Sequence, residues 1–243
     1  MRVGLFVTCL VDLVRPRIGF AALRLLEASG AQVVVPAAQT CCGQPGYNSG
    51  DLEAARALAR KLLDEFRNCD HVVVPSGSCA GMLRVHYPKL FAGRPEAEAF
   101  AGLAARTHEL TEFLTTVAPL AHLPGDFAGT VTYHDSCSGL RELGIKAAPR
   151  ALLARLPNVE LREMREPETC CGFGGTFSVK FGDISARLAD RKCAQIAVCD
   201  CDAVVAGDLG CLLNIEGRLR RRGDDRTRVL HIAEVLANPS GDA

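Results

Sequence analysis

Short apolar runs alternate along the chain with segments whose apolar residues recur every three or four positions. In the first half, the runs are VGLFV, AQVVVP and HVVVP, and the periodic segments are GFAALRLLEAS and LEAARALARKLLDEF. Uninterrupted apolar runs of this length are typical of buried strands, whereas the longer period is typical of helices with one buried face. Strands that alternate with helices predict a parallel sheet, because each helix returns the chain to the same edge.

The second half of the chain repeats this order. VTYHD, VELRE and DAVVA are strand-like, and helical spacing covers APRALLARL and the stretch 184–196. Repetition of a whole strand and helix pattern indicates two copies of one structural unit. We therefore predict an α/β fold of two pseudo-symmetric units, each a mostly parallel sheet flanked by helices.

Cysteines repeat in nearly the same register as the strands. Cys-Cys-Gly begins at Cys41 and again at Cys170, 129 positions later, and Cys79 and Cys211 lie 132 positions apart. Core packing does not require such a repeat, so these residues are candidates for shared chemistry.

A segment that contains Pro and Gly, 118–129, lies between the two copies and is the expected joint. We accordingly place an N-terminal unit at residues 1–124 and a C-terminal unit at residues 125–243. Both are large enough for a core of their own, since 48% of the 243 residues are hydrophobic.

Four cysteines of each unit directly follow strand-like runs or the turns after them. In open α/β sheets, ligands bind beyond the carboxyl ends of the strands, so each set should converge on one sheet edge. The predicted cofactor and metal ligands are Cys9, Cys41, Cys42, Cys79, Cys137, Cys170, Cys171 and Cys211. We interpret the other four, Cys69, Cys193, Cys199 and Cys201, as core residues.

Charge and composition narrow the setting of this chemistry. The formal net charge is zero, which argues against a nucleic-acid partner, and no run of 18 apolar residues or signal-peptide pattern predicts a transmembrane segment or export. We expect a cytoplasmic protein. Twelve cysteines in a reducing compartment favour metal binding or redox chemistry over a disulfide framework.

Four thiolates suit either zinc or an iron–sulfur cluster. Structural zinc sites commonly use C-x-x-C pairs, and none occurs in this sequence. Adjacent cysteines are awkward ligands for one small ion, whereas a multi-iron cluster accepts both more readily. We predict iron–sulfur clusters, [4Fe-4S] in type and one or two per chain, with zinc in one unit as the alternative.

Glycines and polar residues beside the cysteines are candidates to support the cofactor. Gly43, Gly172, Gly174 and Gly175 would let backbone amides approach sulfur near a helix N-terminus. A phosphate cradle is the alternative for such a turn, but G-x-G-x-x-G and P-loop spacings are absent from the sequence. His134 and Asp135 precede Cys137, where they would bond a ligand, pass a proton or cap the strand.

Several segments resemble the cysteine-rich CCG-domain family, which includes the cysteine-rich component of heterodisulfide reductase and the iron–sulfur subunit of glycolate oxidase. They are FVTCLVD, AQTCCGQPGYNSGD, PSGSCAGM, YHDSC, CCGFGGTFSVK, GCLLNIEG and HIAEVLA, and they extend from residue 6 to residue 237. The resemblance implies two cluster-binding units and electron transfer in a system that oxidises L-lactate to pyruvate. It also implies other subunits of a lactate-oxidising complex, and an electron acceptor protein or quinone-linked carrier.

The sequence departs from the family at three positions. Where the longer family motif ends in C-x-x-C, Ser76 and Asp208 replace the first cysteine, and Ser138 stands where a histidine is frequent. Four thiolates per unit remain, which is the ligand number of an ordinary [4Fe-4S] cluster. Two other functions stay open: cleavage of a disulfide substrate at a cluster with an open iron position, and a structural zinc-binding assembly module.

Overall fold

Two sheets of four parallel strands each organise the chain. The structure is a computed structural model that describes residues 1–237, so the last six residues of the predicted C-terminal unit, 238–243, lie outside the described residues. The order of the first sheet is β2-β1-β3-β4, and that of the second is β6-β5-β7-β8. The predicted fold class, two repeated α/β units, is therefore confirmed.

The strands have short spans that match one another between the units. They are β1 Arg2–Leu5, β2 Gln32–Val34, β3 His71–Val74, β4 Thr107–Glu109, β5 Gly129–His134, β6 Val159–Leu161, β7 Ala203–Ala206 and β8 Arg228–His231. The strand-like runs of the sequence predict six of the eight. No apolar run predicts β4, which consists of Thr, His and Glu, or β8, whose two apolar residues lie between Arg228 and His231.

Helices cover both sheets. In the N-terminal unit they are α1 Cys9–Val14, α2 Arg17–Ala28, α3 Gln44–Ser49, α4 Leu52–Glu65, α5 Gly77–Gly81, α6 Tyr87–Leu90, α7 Ala97–Ala105 and α8 Leu110–Glu112, with π-helical turns at Met82–His86 and Phe113–Val117. In the C-terminal unit they are α9 Cys137–Leu143, α10 Ala147–Leu153, α11 Phe177–Lys180, α12 Gly182–Cys199, α13 Leu209–Arg221 and α14 Ile232–Ala237. Among residues 1–237, none of these helices is both long and apolar enough to span a bilayer.

One apolar core joins the two sheets. It contains Val3 and Leu25 from the N-terminal unit together with Val131, Val204 and Leu236 from the C-terminal unit, all buried. Helix α14 packs against α2, so the last described helix lies on the first unit. The predicted boundary after residue 124 falls between β4 and β5, and it stays a prediction.

A second apolar core fills the outer face of the first sheet. Phe6 and Phe66 meet edge to face there, with ring centroids 6.0 Å apart. Helix α4 covers this face, and its first turn is capped by Asp51, whose carboxylate accepts the Ala54 N–H at 3.1 Å. This core reaches the buried side chains of Cys42 and Cys79, so it lies directly behind the first set of cysteines.

Candidate functional site

Four cysteine side chains meet at the carboxyl edge of the first sheet. Cys9 begins α1, Cys41 and Cys42 lie between β2 and α3, and Cys79 lies in α5 after β3. The Sγ atoms of Cys42 and Cys79 are 3.3 Å apart. Thiol hydrogen bonds also join Cys9 to Cys41 and Cys41 to Cys42. We call these four residues the N-terminal cysteine group.

The second sheet carries an equivalent arrangement. Cys137 begins α9, Cys170 and Cys171 lie between β6 and α11, and Cys211 lies in the first turn of α13. Thiol hydrogen bonds join Cys137 to Cys170, Cys170 to Cys171, and Cys171 to Cys211. These four residues form the C-terminal cysteine group. All eight predicted ligands are thus brought together in two sets, although four of them lie at helix N-termini rather than in loops.

Glycine is required where each Cys-Cys pair turns toward the next helix. Gly43 and Gly172 have φ values of +82° and +88°, in the left-handed region. A Cβ at Gly172 would lie 2.5 Å from the Ser185 carbonyl oxygen, and a Cβ at Gly43 would lie 3.3 Å from that of Ala55. Each Cys-Cys pair is therefore held close to α4 or α12, in a backbone conformation that favours glycine, and at Gly172 the contact leaves no room for a Cβ.

Backbone amides point at sulfur in both loops. The N–H of Gly43 donates to Cys41 Sγ at 3.4 Å, and the N–H of Gly172 donates to Cys170 Sγ at 3.3 Å. Such bonds favour the thiolate over the thiol. Gly174 and Gly175 continue the second loop with φ values of +53° and +64°, so all four predicted glycines have positive φ values.

Each group stabilises one thiolate. Bonds from neighbouring thiols hold the pKa of Cys41 and of Cys170 far below the ordinary thiol value. Bonds to those thiolates and burial hold the pKa of Cys42 and of Cys171 well above it. Protons therefore remain on most of the sulfurs until a cation neutralises the like charges. This electrostatic balance is typical of a thiolate metal site.

A cavity of about 220 Å³ opens on the N-terminal cysteine group and is lined by all four of its cysteines. One water-sized species needs roughly 10–15 Å³ measured in this way, so the space suits a group of several atoms. Phe173 and Thr176, which follow the second Cys-Cys pair, also line this cavity. The four donors and the room beside them fit an iron–sulfur cluster.

Ser76 and Asp208, the two positions where the resemblance leads us to expect a cysteine, bind each other across the two units. The Asp208 carboxylate accepts from Ser76 Oγ at 3.1 Å and from the Ser78 N–H at 2.9 Å. Its other oxygen accepts from the Gly210 N–H at 3.1 Å. One carboxylate thereby caps α5 of the first unit and α13 of its own.

His134 and Asp135, predicted as a pair beside Cys137, have different surroundings. His134 is fully buried, and neither ring nitrogen has a hydrogen-bond partner. One of its nitrogens and the sulfurs of Cys171 and Cys211 lie within 4.8 Å of one another. Burial lowers the pKa of His134 to about 3, so the ring is neutral. Asp135 instead receives two bonds from Arg150, at 2.8 and 2.9 Å.

Sequence reasoning missed three residues that support the site. Tyr87 donates its hydroxyl to the Cys42 carbonyl at 2.7 Å, and the Asn214 amide donates to the Cys171 carbonyl at 2.8 Å. Lys192 is fully buried behind the C-terminal cysteine group. The available signal is one charged residue among uncharged ones on the buried face of α12.

The cysteines outside the two groups have other environments. Cys69 and Cys193 are buried in the apolar cores, as predicted. Cys199 and Cys201 are partly exposed, and the Cys201 thiol donates to the Cys199 carbonyl at 3.4 Å. The core role is therefore right for the first two and right in part for Cys199, which packs against the rim of the first core at the end of α12, whereas Cys201 belongs to neither described apolar cluster.

Comparison with known proteins agrees with this geometry. A model of the CCG family, described as "Cysteine-rich domain", matches residues 3–84 and again 131–216. "Lactate utilization protein A" of Geobacillus kaustophilus is 48% identical over 237 residues, covering 97% of this chain and 98% of that protein. The protein of the same name from Oceanobacillus iheyensis is 45% identical, covering 97% and 96%. That from Bacillus cytotoxicus is 42% identical, covering 99% and 100%.

The two matched segments coincide with the two cysteine groups, since each begins in a first strand and ends beyond a last cysteine. Identity above 40% extends over nearly the full length of several relatives. This chain belongs to the CCG cysteine-rich domain family.

Proposed function

We propose that this chain is a cytoplasmic iron–sulfur electron-transfer subunit of a system that oxidises L-lactate to pyruvate. The observation that carries the proposal is the gathering of four thiols at the carboxyl edge of each sheet. The name of its relatives, lactate utilization protein A, supplies the pathway.

The eight cysteines would hold one [4Fe-4S] cluster in each unit. When bound, such clusters supply reversible one-electron storage. The chain's own residues position the sulfurs: Gly43 and Gly172 donate N–H bonds to them, while Tyr87 and Asn214 fix the backbone of the Cys-Cys pairs. Burial of Cys42 and Cys171 keeps water from that side of each site.

Partners follow from the stoichiometry of the reaction. Oxidation of lactate to pyruvate removes two electrons and two protons, whereas each cluster accepts one electron at a time. We assign the hydroxy-acid chemistry to another subunit and the onward step to an acceptor protein or a quinone-linked carrier. The chain then serves as the conductor between them.

Anaerobic purification with iron, zinc and sulfide analysis tests the proposal, together with EPR spectra before and after dithionite. We expect roughly four to eight irons per chain, matching sulfide and a signal that appears on reduction. Stoichiometric zinc without sulfide, persisting after anaerobic reconstitution, would contradict the iron–sulfur assignment.

Single substitutions connect the metal to the pathway. Cys171→Ser should remove the cluster of one unit and lower lactate-dependent electron flow in the presence of the partner subunits. Cys201→Ser is the matched control, because Cys201 belongs to neither cysteine group and its thiol donates to the nearby Cys199 carbonyl. Unchanged iron content and electron flow in Cys171→Ser would sink the assignment.

A zinc ion in the C-terminal unit is the second candidate. Its support is the convergence of His134, Cys171 and Cys211, whose ligand atoms lie within 4.8 Å of one another in the described part of the chain. Zinc binds such mixed nitrogen and sulfur sets tetrahedrally. One zinc and one cluster per chain would favour this mixed version, in which the second unit is structural.

Catalysis on a disulfide is a third candidate, favoured by the space beside the N-terminal cysteine group. A cavity of about 380 Å³ is lined by Cys9 and Cys41 and by Asp12, Leu13 and Gln39. A small substrate would reach an iron with an open position from this side. Turnover of a disulfide by the isolated, cluster-loaded chain would support it, and absence of turnover favours the conductor role.

A further inference from the structure

The two cysteine groups have the same ligands but different surroundings, and the repeat allows a comparison position by position. In the first sheet, Val3 pairs with His71, and in the second, Val131 pairs with Ala203. Because Val131 lies 128 positions after Val3, Phe6 corresponds to His134. Phe6 directly follows β1, and His134 is the last residue of β5, so both lie at the carboxyl end of their strand.

Helices α4 and α12 correspond in the same way. Gly43 lies against Ala55, and Gly172 lies against Ser185, 130 positions later. At this offset the buried positions of α4 coincide with buried positions of α12. Leu62 therefore corresponds to Lys192.

The N-terminal cysteine group has an apolar background at these two positions. Phe6 and Leu62 are buried in one cluster with Cys42 and Cys79. The C-terminal group has His134 and Lys192 instead, both fully buried. Burial of two polar side chains costs free energy unless each has a hydrogen-bond partner.

Lys192 has the surroundings of a charged ammonium. It donates to the carbonyl oxygens of Glu166 and Pro167, at 2.8 and 3.2 Å, and to Met164 Sδ at 3.4 Å. These three acceptors match the three N–H bonds of an ammonium. Burial lowers the pKa of Lys192 to about 8, and the negative thiolates nearby counteract part of that effect, so the charge persists at neutral pH.

His134 brings a donor without an acceptor. A neutral imidazole carries one N–H, and both ring nitrogens of His134 are buried without a bond. The sulfurs of Cys171 and Cys211 lie within 4.8 Å of one ring nitrogen, and the Pro167 carbonyl, which also accepts from Lys192, is the competing acceptor. A sulfur ligand of a bound cluster would accept this N–H, and such bonds raise a cluster's reduction potential.

Nearby acidic residues do not cancel the difference in charge between the surroundings of the two cysteine groups. Asp135 is held by two bonds from Arg150. Asp208 acts on Cys137 and Cys211, but it also lines the cavity of the N-terminal cysteine group. The negative charge of Asp208 therefore lies close to both cysteine groups, whereas the positive charge of Lys192 lies close to the C-terminal group alone.

We propose that Lys192 and His134 make the C-terminal cysteine group the higher-potential site, so that electrons pass from the N-terminal group to it. This inference rests on the proposed function. A buried positive charge stabilises the reduced and more negative state of a thiolate cluster. In the transfer, the N-terminal cluster is oxidised by one electron and the C-terminal cluster is reduced by one. The donor is the lactate-oxidising subunit, and the final acceptor is the onward carrier.

Redox titration of the cluster-loaded full chain, followed by EPR, tests the proposal. Cys42→Ser and Cys171→Ser each leave one cluster and assign the two midpoint potentials. We expect the remaining C-terminal cluster to have the higher midpoint. Lys192→Met should lower that midpoint by at least about 59 mV. For one electron, this shift is a tenfold fall in the ratio of reduced to oxidised cluster at a fixed potential. The N-terminal midpoint should stay unchanged.

Leu62→Met is the matched control at the equivalent position, and it should leave both midpoints unchanged. His134→Phe, which installs the residue type of the first unit, should also lower only the C-terminal midpoint, and it tests the proposal if Lys192→Met fails to fold. Equal midpoints in the wild-type chain, or a C-terminal midpoint unmoved by either substitution, would overturn the inference and leave the proposed function standing. A chain that binds no iron and sulfide overturns both, whereas zinc at the C-terminal group overturns the inference and favours the mixed version with one cluster.

Discussion

At the scale of single residues, the site depends on side chains that are absent as much as on those present. Gly172 illustrates this, because its backbone is left-handed and its Cα faces the carbonyl of Ser185. The sequence predicts a glycine-rich approach to sulfur but not this contact with α12. The thiol of Cys171 thus has its position fixed by the glycine that follows it.

Gly172→Ala should destabilise the fold and weaken metal retention by the C-terminal unit. The added Cβ would lie 2.5 Å from the Ser185 oxygen, in a backbone conformation that alanine disfavours. We expect a loss of about 1–3 kcal/mol in the free energy of unfolding, measured in urea. Gly102→Ala is the control, since nothing lies within 4 Å of its Cβ inside α7, and it should stabilise by about 0.5–1 kcal/mol. Equal stability of the two variants would contradict the contact.

Glu109 gives the fold a pH dependence. Its buried carboxylate accepts the N–H groups of Thr111 and Glu112 at 2.7 and 3.1 Å, and burial raises its pKa to about 7. The folded state therefore binds a proton more tightly than the unfolded state, whose carboxyl has an ordinary value of 4.5. The contribution of Glu109 to the free energy of unfolding is present below pH 4.5 and is lost as the pH rises to 7.

Glu109→Gln should remove this dependence. The difference in unfolding free energy between the variant and the wild-type chain should shift in favour of the variant by on the order of 3 kcal/mol between those two pH values. Urea unfolding at several pH values measures it. Glu98→Gln, on the exposed face of α7, should run parallel to the wild type. A constant difference between Glu109→Gln and wild type across this range would refute the assignment.

At the scale of elements, hydrophobic periodicity predicts the main strands and the long helices because burial imposes the pattern directly. It misses β4 and β8, which are short and partly polar, and it misses the short helices α1, α5 and α9 that begin at or beside cysteines. Their formation depends on contacts with other elements. Two of the missed contacts hold the Cys-Cys loops, through Tyr87 of α6 and Asn214 of α13.

Tyr87→Phe should loosen the N-terminal cysteine group alone. It leaves the buried Cys42 carbonyl without its 2.7 Å partner, at a cost of about 1–3 kcal/mol in unfolding free energy. Faster loss of the N-terminal cluster to a chelator is the expected readout, followed by EPR. Tyr47→Phe keeps the ring contact with His86, at 4.9 Å between centroids, and should behave as wild type. Equal chelation rates in the two variants would argue against this role for the hydroxyl.

At the scale of the whole molecule, the two units are joined by a shared core and by a polar link at their cysteine edges. Asp208 caps a helix in each unit, and the Gly77 N–H also donates to the Gly207 carbonyl at 3.1 Å. Ser76 and Asp208, where the resemblance leads us to expect cysteines, therefore connect the units. This connection brings the second Cys-Cys-Gly loop onto the cavity of the first group.

Asp208→Ala should affect both units at once. Removal of the carboxylate leaves donors on Ser76, Ser78 and Gly210 without their acceptor, and we expect a loss on the order of 2–4 kcal/mol in the free energy of unfolding. Both clusters should be lost to a chelator faster than in the wild-type chain. Asp51→Ala removes a single cap within one unit and should cost about 1 kcal/mol. An effect of Asp208→Ala on one cluster only would contradict the shared role.

The amino-acid sequence by itself predicts the duplicated α/β architecture, the eight cysteines and the glycines beside them. It does so because strand burial, cysteine repetition and glycine conformation each leave a pattern among residues that are close together in the chain. Only the tertiary structure shows that Asp208 accepts a hydrogen bond from Ser76 and that Asp135 accepts one from Arg150. It also shows that His134 and Lys192 both lie beside the C-terminal cysteine group. These partners are distant in sequence or depend on which face of a helix is buried. The electrostatic difference between the two units is therefore a property of the fold.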